Sequence, residues 1–121
     1  MNFFWVFIGG GLGSICRYGI ARWIKPDHLI FPWATFLANF LACIALGFLV
    51  AMNSKGLLKP NLQYALMTGF CGGFSTFSTF AYESLILFQN GQITYAFANM
   101  IGSFLMGIVG LYLGLRLGGF F

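Results

Sequence analysis

Between Thr68 and Phe80 an otherwise apolar stretch gathers three glycines, five hydroxyl side chains and four phenylalanines. In hydrocarbon each unpaired backbone group costs several kcal/mol, so glycines and hydroxyls concentrate there only where they meet something other than lipid. The pattern predicts a broken membrane helix. Gly72-Gly73 loosens the chain, and Ser75 or Thr76 can N-cap a second half-helix. Such an N-terminus presents N–H donors and a positive dipole end to an anion, while the carbonyls of the preceding half can hold a cation. Phe77 and Phe80, three residues apart, can turn electropositive ring edges toward a small anion without a trapping charge. A pore needs that weakness, because an ion must also leave. The plainer alternatives are packing for the rings, in a chain with 16 Phe, and hydroxyls that bond back to i−4 carbonyls of an intact helix.

Polar groups elsewhere at membrane depth are the other candidates, since they are expensive there. Asn39, in Leu37-Ala38-Asn39-Phe40-Leu41, can donate to an anion or bond across to another helix. Arg17 follows a run of small residues whose 9/13 and 10/14 pairs let a neighbouring backbone approach closely. It can attract an anion into a vestibule, or snorkel and pair with backbone carbonyls. Tyr95, Asn99 and Ser103 recur at i, i+4, i+8 and share one helix face, as the lining of a wet path or as a ladder between helices. Glu83 is a candidate proton carrier or an interfacial carboxylate.

These residues require membrane helices to position them. The chain has 121 residues, 60% of them hydrophobic and 7% charged, with a mean hydropathy of +0.88. A soluble domain carries roughly 25% charged residues, so lipid must be the solvent for most of this surface. The expectation is an all-α membrane protein, one domain over residues 1–121. Its four spans cover about residues 2–23, 32–52, 62–88 and 93–117, each long enough for a core of about 30 Å. Lys25-Pro26 ends the first span, Pro32 suits a first helical turn, residues 53–61 form a polar loop, and 89–92 a tight turn. No basic region precedes the first apolar run, which reads as a retained helix rather than a cleaved leader. Cys16, Cys43 and Cys71, each in an apolar stretch, read as small packing residues rather than a disulfide or metal set.

The net charge of +4 comes from six basic and two acidic residues scattered at segment ends, which gives no support for nucleic acid binding. With the N-terminus inside, Lys55, Lys59 and Arg116 lie on the inner side, and Arg17, Arg22 and Lys25 on the other. The positive-inside bias is therefore zero, or one if Arg17 is counted as buried. That balance leaves little to fix one orientation, which permits insertion in both and, with it, an antiparallel homodimer. A single orientation set by hydrophobicity is the alternative.

The segment 69–80, the glycine-rich run from Gly9 to Tyr18 and Asn39 together resemble the fluoride channel (CrcB/Fluc) family, and the likeness covers essentially the whole chain. The resemblance implies a dual-topology antiparallel homodimer with two fluoride pores in the plasma (inner) membrane. By motif, Phe77 and Phe80 would be the pore phenylalanines and Asn39 a pore-lining donor. Ser78 and Thr79 would belong to a hydroxyl track, Tyr95 and Ser103 to the fourth-helix side of the path, and Arg17 to the vestibule. The carbonyls of Gly72 and Ser75 would hold a structural sodium ion at the dimer interface. Ala34, Ala42 and Phe74 depart from the usual residues of the pattern, which touches packing rather than the ion. The implied role is passive export of fluoride that entered as HF, with no enzyme chemistry.

Two other classes compete. A small four-helix proton-coupled multidrug transporter needs a carboxylate within its first span, and this first span has none. A non-transporting membrane subunit would have no use for the hydroxyl–phenylalanine constellation.

Overall fold

The computed structural model describes residues 2–24 and 31–120. Lys25 and Pro26, expected to end the first span, lie outside the described residues. The described residues contain five helical segments: α1 (Asn2–Trp23), α2 (Trp33–Ser54), α3 (60–74), α4 (Phe77–Gln89) and α5 (Ile93–Leu117). α1, α2 and α5 are each long and apolar enough to cross a bilayer. Residues 62–88, expected as the third span, fall in α3 and α4, which Ser75 and Thr76 separate. Pro32 is the residue before α2 rather than part of its first turn.

α3 has an unexpected middle. Residues Gln63–Cys71 form a π-helix between short α-helical ends. Its i→i+5 bonding widens the backbone, a distortion that tends to occur at functional sites. Nothing in the residue types announced it.

Packing is dominated by two helix pairs, α2 against α5 and α1 against α3. Both are close approaches of backbone on backbone. A methyl on Gly114 would sit 2.7 Å from the Phe48 nitrogen and 3.0 Å from Gly47 Cα, besides striking the Ile44 carbonyl oxygen. A methyl on Gly13 would reach the Phe74 nitrogen at 2.8 Å. The small-residue run of α1 thus seats α3, whose far end carries the candidate site. Lipid offers no hydrophobic drive between helices, so contact of this kind does the holding.

The buried core is correspondingly thin, with Ala38, Ala42 and Phe74 at its centre and Ile20 and Phe70 against them. Large apolar side chains such as Phe7, Phe104 and Leu117 point outward, as expected where the surroundings are lipid or another chain. At the α4–α5 turn Gly91 takes φ +77°, which a side chain rarely tolerates, and the Gln92 N–H returns to the Leu87 carbonyl at 2.8 Å. On the opposite side Gln63 Nε2 donates to Asn53 Oδ1, tying α3 to the end of α2. Lys55 Nζ caps α5 by donating to the Gly118 carbonyl at 2.6 Å.

Gly114→Ala is expected to cost about 1–3 kcal/mol through overpacking. Gly19→Ala, with nothing within 4 Å, should be neutral or stabilising by up to about 1 kcal/mol. Reversible unfolding in detergent micelles, followed by circular dichroism, compares the two.

Candidate functional site

The helical path stops at Phe74. Ser75 takes φ −84°, ψ 158° and Thr76 φ −152°, ψ 121°, both extended, and α4 begins at Phe77. A helix end leaves carbonyls without donors on one side of the gap and N–H groups without acceptors on the other. Most of these orphans have identifiable partners.

Asn39 of α2 makes the central contact. Its Oδ1 accepts from the Thr76 N–H at 2.8 Å, and its Nδ2 donates to the Thr76 carbonyl oxygen at 3.3 Å. One amide therefore satisfies both backbone groups of one extended residue. Asn39 thereby acts as the bridge between helices that the sequence offered as one of its two roles. The amide has two N–H donors, and the second remains for the space that Asn39 borders. The Thr76 hydroxyl then caps α4, accepting from the Thr79 N–H at 3.3 Å. On the carbonyl side the Ser75 hydroxyl donates to the Cys71 oxygen at 2.8 Å. Arg17 Nε donates to the Gly73 oxygen at 3.3 Å, setting a cation against the negative end of α3.

A hollow of about 570 Å³ opens beside this gap. Asn39 and Cys43 of α2 form one wall, Ser75 and Thr76 the break itself, Phe77 and Phe80 a second wall, and Met100, Ser103 and Phe104 of α5 a third. The Phe77 and Phe80 rings lie 5.9 Å apart at 46°, and Phe77 is 80% exposed. The N–H groups of Phe77 and Ser78 open α4 without an intrahelical acceptor, so the positive end of that helix lies at the hollow's edge.

Ser103 is held from behind. Its hydroxyl donates to Asn99 Oδ1 at 3.1 Å, Asn99 Nδ2 donates to Ser84 Oγ at 3.0 Å, and the Ser84 hydroxyl donates to the Phe80 carbonyl at 2.9 Å. Asn99 is 1% exposed, so this chain of bonds is the ladder between α5 and α4 that the i, i+4 spacing allowed. It leaves Ser103 with lone pairs, rather than its proton, for the hollow.

The fold therefore brings together Asn39, Ser75, Phe77, Phe80 and Ser103. It does not bring all the candidates there. Ser78 is exposed and shares a 3.4 Å hydrogen bond with Thr76 Oγ1. Thr79 takes part through its backbone, and Tyr95 is exposed outside the lining. Gly72 lines a separate, smaller hollow. Glu83 has a buried Oε1 without a hydrogen-bond partner. Sequence reasoning missed Cys43, Met100 and Phe104 as lining residues. Their apolar type in a helix carries no signal, although Phe104 adjoins Ser103.

Residues 4–115 match the family model described as CrcB-like protein, Camphor Resistance (CrcB). The chain belongs to the CrcB-like family. Every candidate residue named above falls inside the matched region. Relatives spread over distant organisms. A protein of Bacillus subtilis named fluoride-specific ion channel FluC 2 is 41% identical over 118 residues, covering 94% of this chain and 88% of its own length. One of Pyrococcus horikoshii, named fluoride-specific ion channel FluC, is 42% identical over 90% of this chain and 89% of its own. One of Chlorobium chlorochromatii with the same name is 40% identical over 91% and 86%. Three apolar helices of spanning length in a CrcB-like protein make this a multi-pass membrane protein.

Asn39→Ala removes both partners of Thr76 and should lower stability by about 1–3 kcal/mol for each group left unpaired. Asn39→Asp keeps the acceptor for the Thr76 N–H. Hydrogen exchange at that amide should therefore quicken in the alanine variant and stay slow in the aspartate variant.

Proposed function

We propose that the chain is a fluoride-selective channel that lets the anion leave the cell passively across the plasma (inner) membrane. One observation carries the proposal: the N-terminus of α4 and the unused Asn39 amide proton border a hollow edged by Phe77 and Phe80. Uncharged donors and ring edges attract an anion weakly enough to release it. The names of the relatives supply the ion. The rival class, a proton-coupled transporter, lacks its first-span carboxylate in α1.

In the full proposal α3 and α4 form one broken third span, and two copies insert in opposite orientations as an antiparallel homodimer. Ser78 and Thr79 line the continuation of the path beyond the hollow, with Tyr95 on the α5 side, and Arg17 stands at the vestibule. The carbonyls of Gly72 and Ser75 suit a structural sodium ion. Because the Thr76 N–H turns to Asn39 Oδ1, the Gly72 carbonyl lacks its helical donor, and unwound carbonyls of this kind suit Na⁺. A bound sodium would supply the positive charge that these dipoles lack.

Proteoliposomes loaded with fluoride should lose it to a fluoride-sensitive electrode, while chloride loaded in the same way stays inside. Absent fluoride flux, or equal chloride flux, would sink the assignment. Phe80→Ile should slow fluoride efflux by about tenfold or more, equivalent to about 1.4 kcal/mol, with the protein still folded. Dual insertion is read at Lys59, which is exposed, whereas the Lys55 ammonium is engaged with Gly118. A membrane-impermeant amine reagent should reach Lys59 from both faces, and one-sided labelling refutes the antiparallel dimer.

A further inference from the structure

The outer faces of α1 and α5 carry the same kinds of side chain at the same spacing. On α1 they are Ile15, Tyr18 and Arg22, and on α5 Val109, Tyr112 and Arg116, all exposed. An i, i+3, i+7 spacing puts each set on one helix face. The two sets share a geometry as well. Arg22 Nη1 donates to Tyr18 Oη at 3.3 Å and Arg116 Nη1 to Tyr112 Oη at 3.2 Å. Each guanidinium carbon lies over its tyrosine ring, 6.0 Å from the centroid. Packing places the two sets at opposite ends of the bundle. α2 and α5 run in one direction, since Gly47 abuts Leu111 and Gly118 abuts Ala51, and Gln63 ties the start of α3 to Asn53 at that same end. α1 runs alongside α3, from Gly9 at Ala65 to Gly13 at Phe74, so its last turn lies at the other end.

We propose that each set seats one anionic phospholipid, one in either leaflet, with the arginine on the phosphate and the aliphatic residue along the acyl chains. The order of side chains matches that ligand from head to tail. Tyrosine concentrates at headgroup level, and long basic side chains near helix ends reach the same interface. A guanidinium has five N–H donors in a planar fork, of which the tyrosine takes one, and the fork matches phosphate oxygens. Holding it over a ring reduces the side-chain freedom lost on binding. Charge favours lipid over a second copy of the chain. Each copy has only two acidic residues to offer an arginine, Asp27 in the connection after α1 and Glu83 past the break. By chain order neither belongs to the end where Arg116 lies, and exposed Lys55 and Lys59 add positive charge there. Basic groups at a membrane surface draw anionic lipid. Neither set borders the hollow beside the break, so the proposal stands apart from the fluoride reading.

The test mixes the full chain in detergent with phosphatidylglycerol or with zwitterionic phosphatidylcholine and weighs the complexes by native mass spectrometry. Phosphatidylglycerol should be retained at up to two molecules per chain, and phosphatidylcholine about fivefold more weakly or less well still. Arg22→Gln and Arg116→Gln should each remove one bound phosphatidylglycerol, and the double variant both. Arg116→Lys keeps the charge without the fork and should restore retention only in part. Equal retention of the two lipids, no loss in either glutamine variant, or full recovery with lysine would overturn the proposal. So would displacement of the lipid by millimolar inorganic phosphate, which marks a site for free phosphate. Lipid-free pairs of chains that fall apart when the arginines are replaced would overturn it too, since a second copy then covers these faces. If a variant does not fold, the comparison of the two lipids on the unaltered chain decides by itself. None of these readouts depends on fluoride.

Discussion

The reciprocal pair of hydrogen bonds between Asn39 and the backbone of Thr76 is the constraint on which the rest of the structure depends. An extended dipeptide at membrane depth strands backbone groups that lipid cannot satisfy. An amide side chain answers both needs of one residue, because it carries an acceptor and donors a short distance apart. With Thr76 held, its hydroxyl is placed to cap α4, and α4 can begin at Phe77 rather than continue α3. The position of both rings beside the hollow follows from that start.

The remaining loose ends of the break have partners chosen by charge. The carbonyl end of α3 is negative, and Arg17 meets it at Gly73. That contact depends on α1 lying close to α3, which the absence of side chains at Gly9 and Gly13 allows. Packing and polar satisfaction are thus one problem. A bulkier α1 would withdraw the guanidinium as well as open the interface.

The hollow joins three helices through bonds of different character. α2 reaches the break through Asn39, α5 reaches α4 through the buried Ser103–Asn99–Ser84 chain, and that chain ends on the carbonyl of Phe80. One ring of the pair is therefore anchored through its own backbone, while Phe77 stands exposed. The difference suits a site in which one wall is fixed and the other is completed by lipid or by a second chain.

Much of this was legible in the residues themselves. Hydrophobic length marked α1, α2 and α5 nearly to their ends, and the glycine–hydroxyl run marked residues 68–80 because such groups are costly in hydrocarbon. The cap at Thr76 was legible from local chemistry, as one of two candidates. What the residues left open was partnership. Asn39 was an anion donor or a bridge until α2 was laid beside the break, and Ser103 and Tyr95 shared a face until only Ser103 met the hollow. The π-helix had no local signature in the residue types. The sequence alone determined which groups lipid would not accept; only the tertiary structure decided which partner each one found, because a side chain's bonding capacity is local and its partner's position is not.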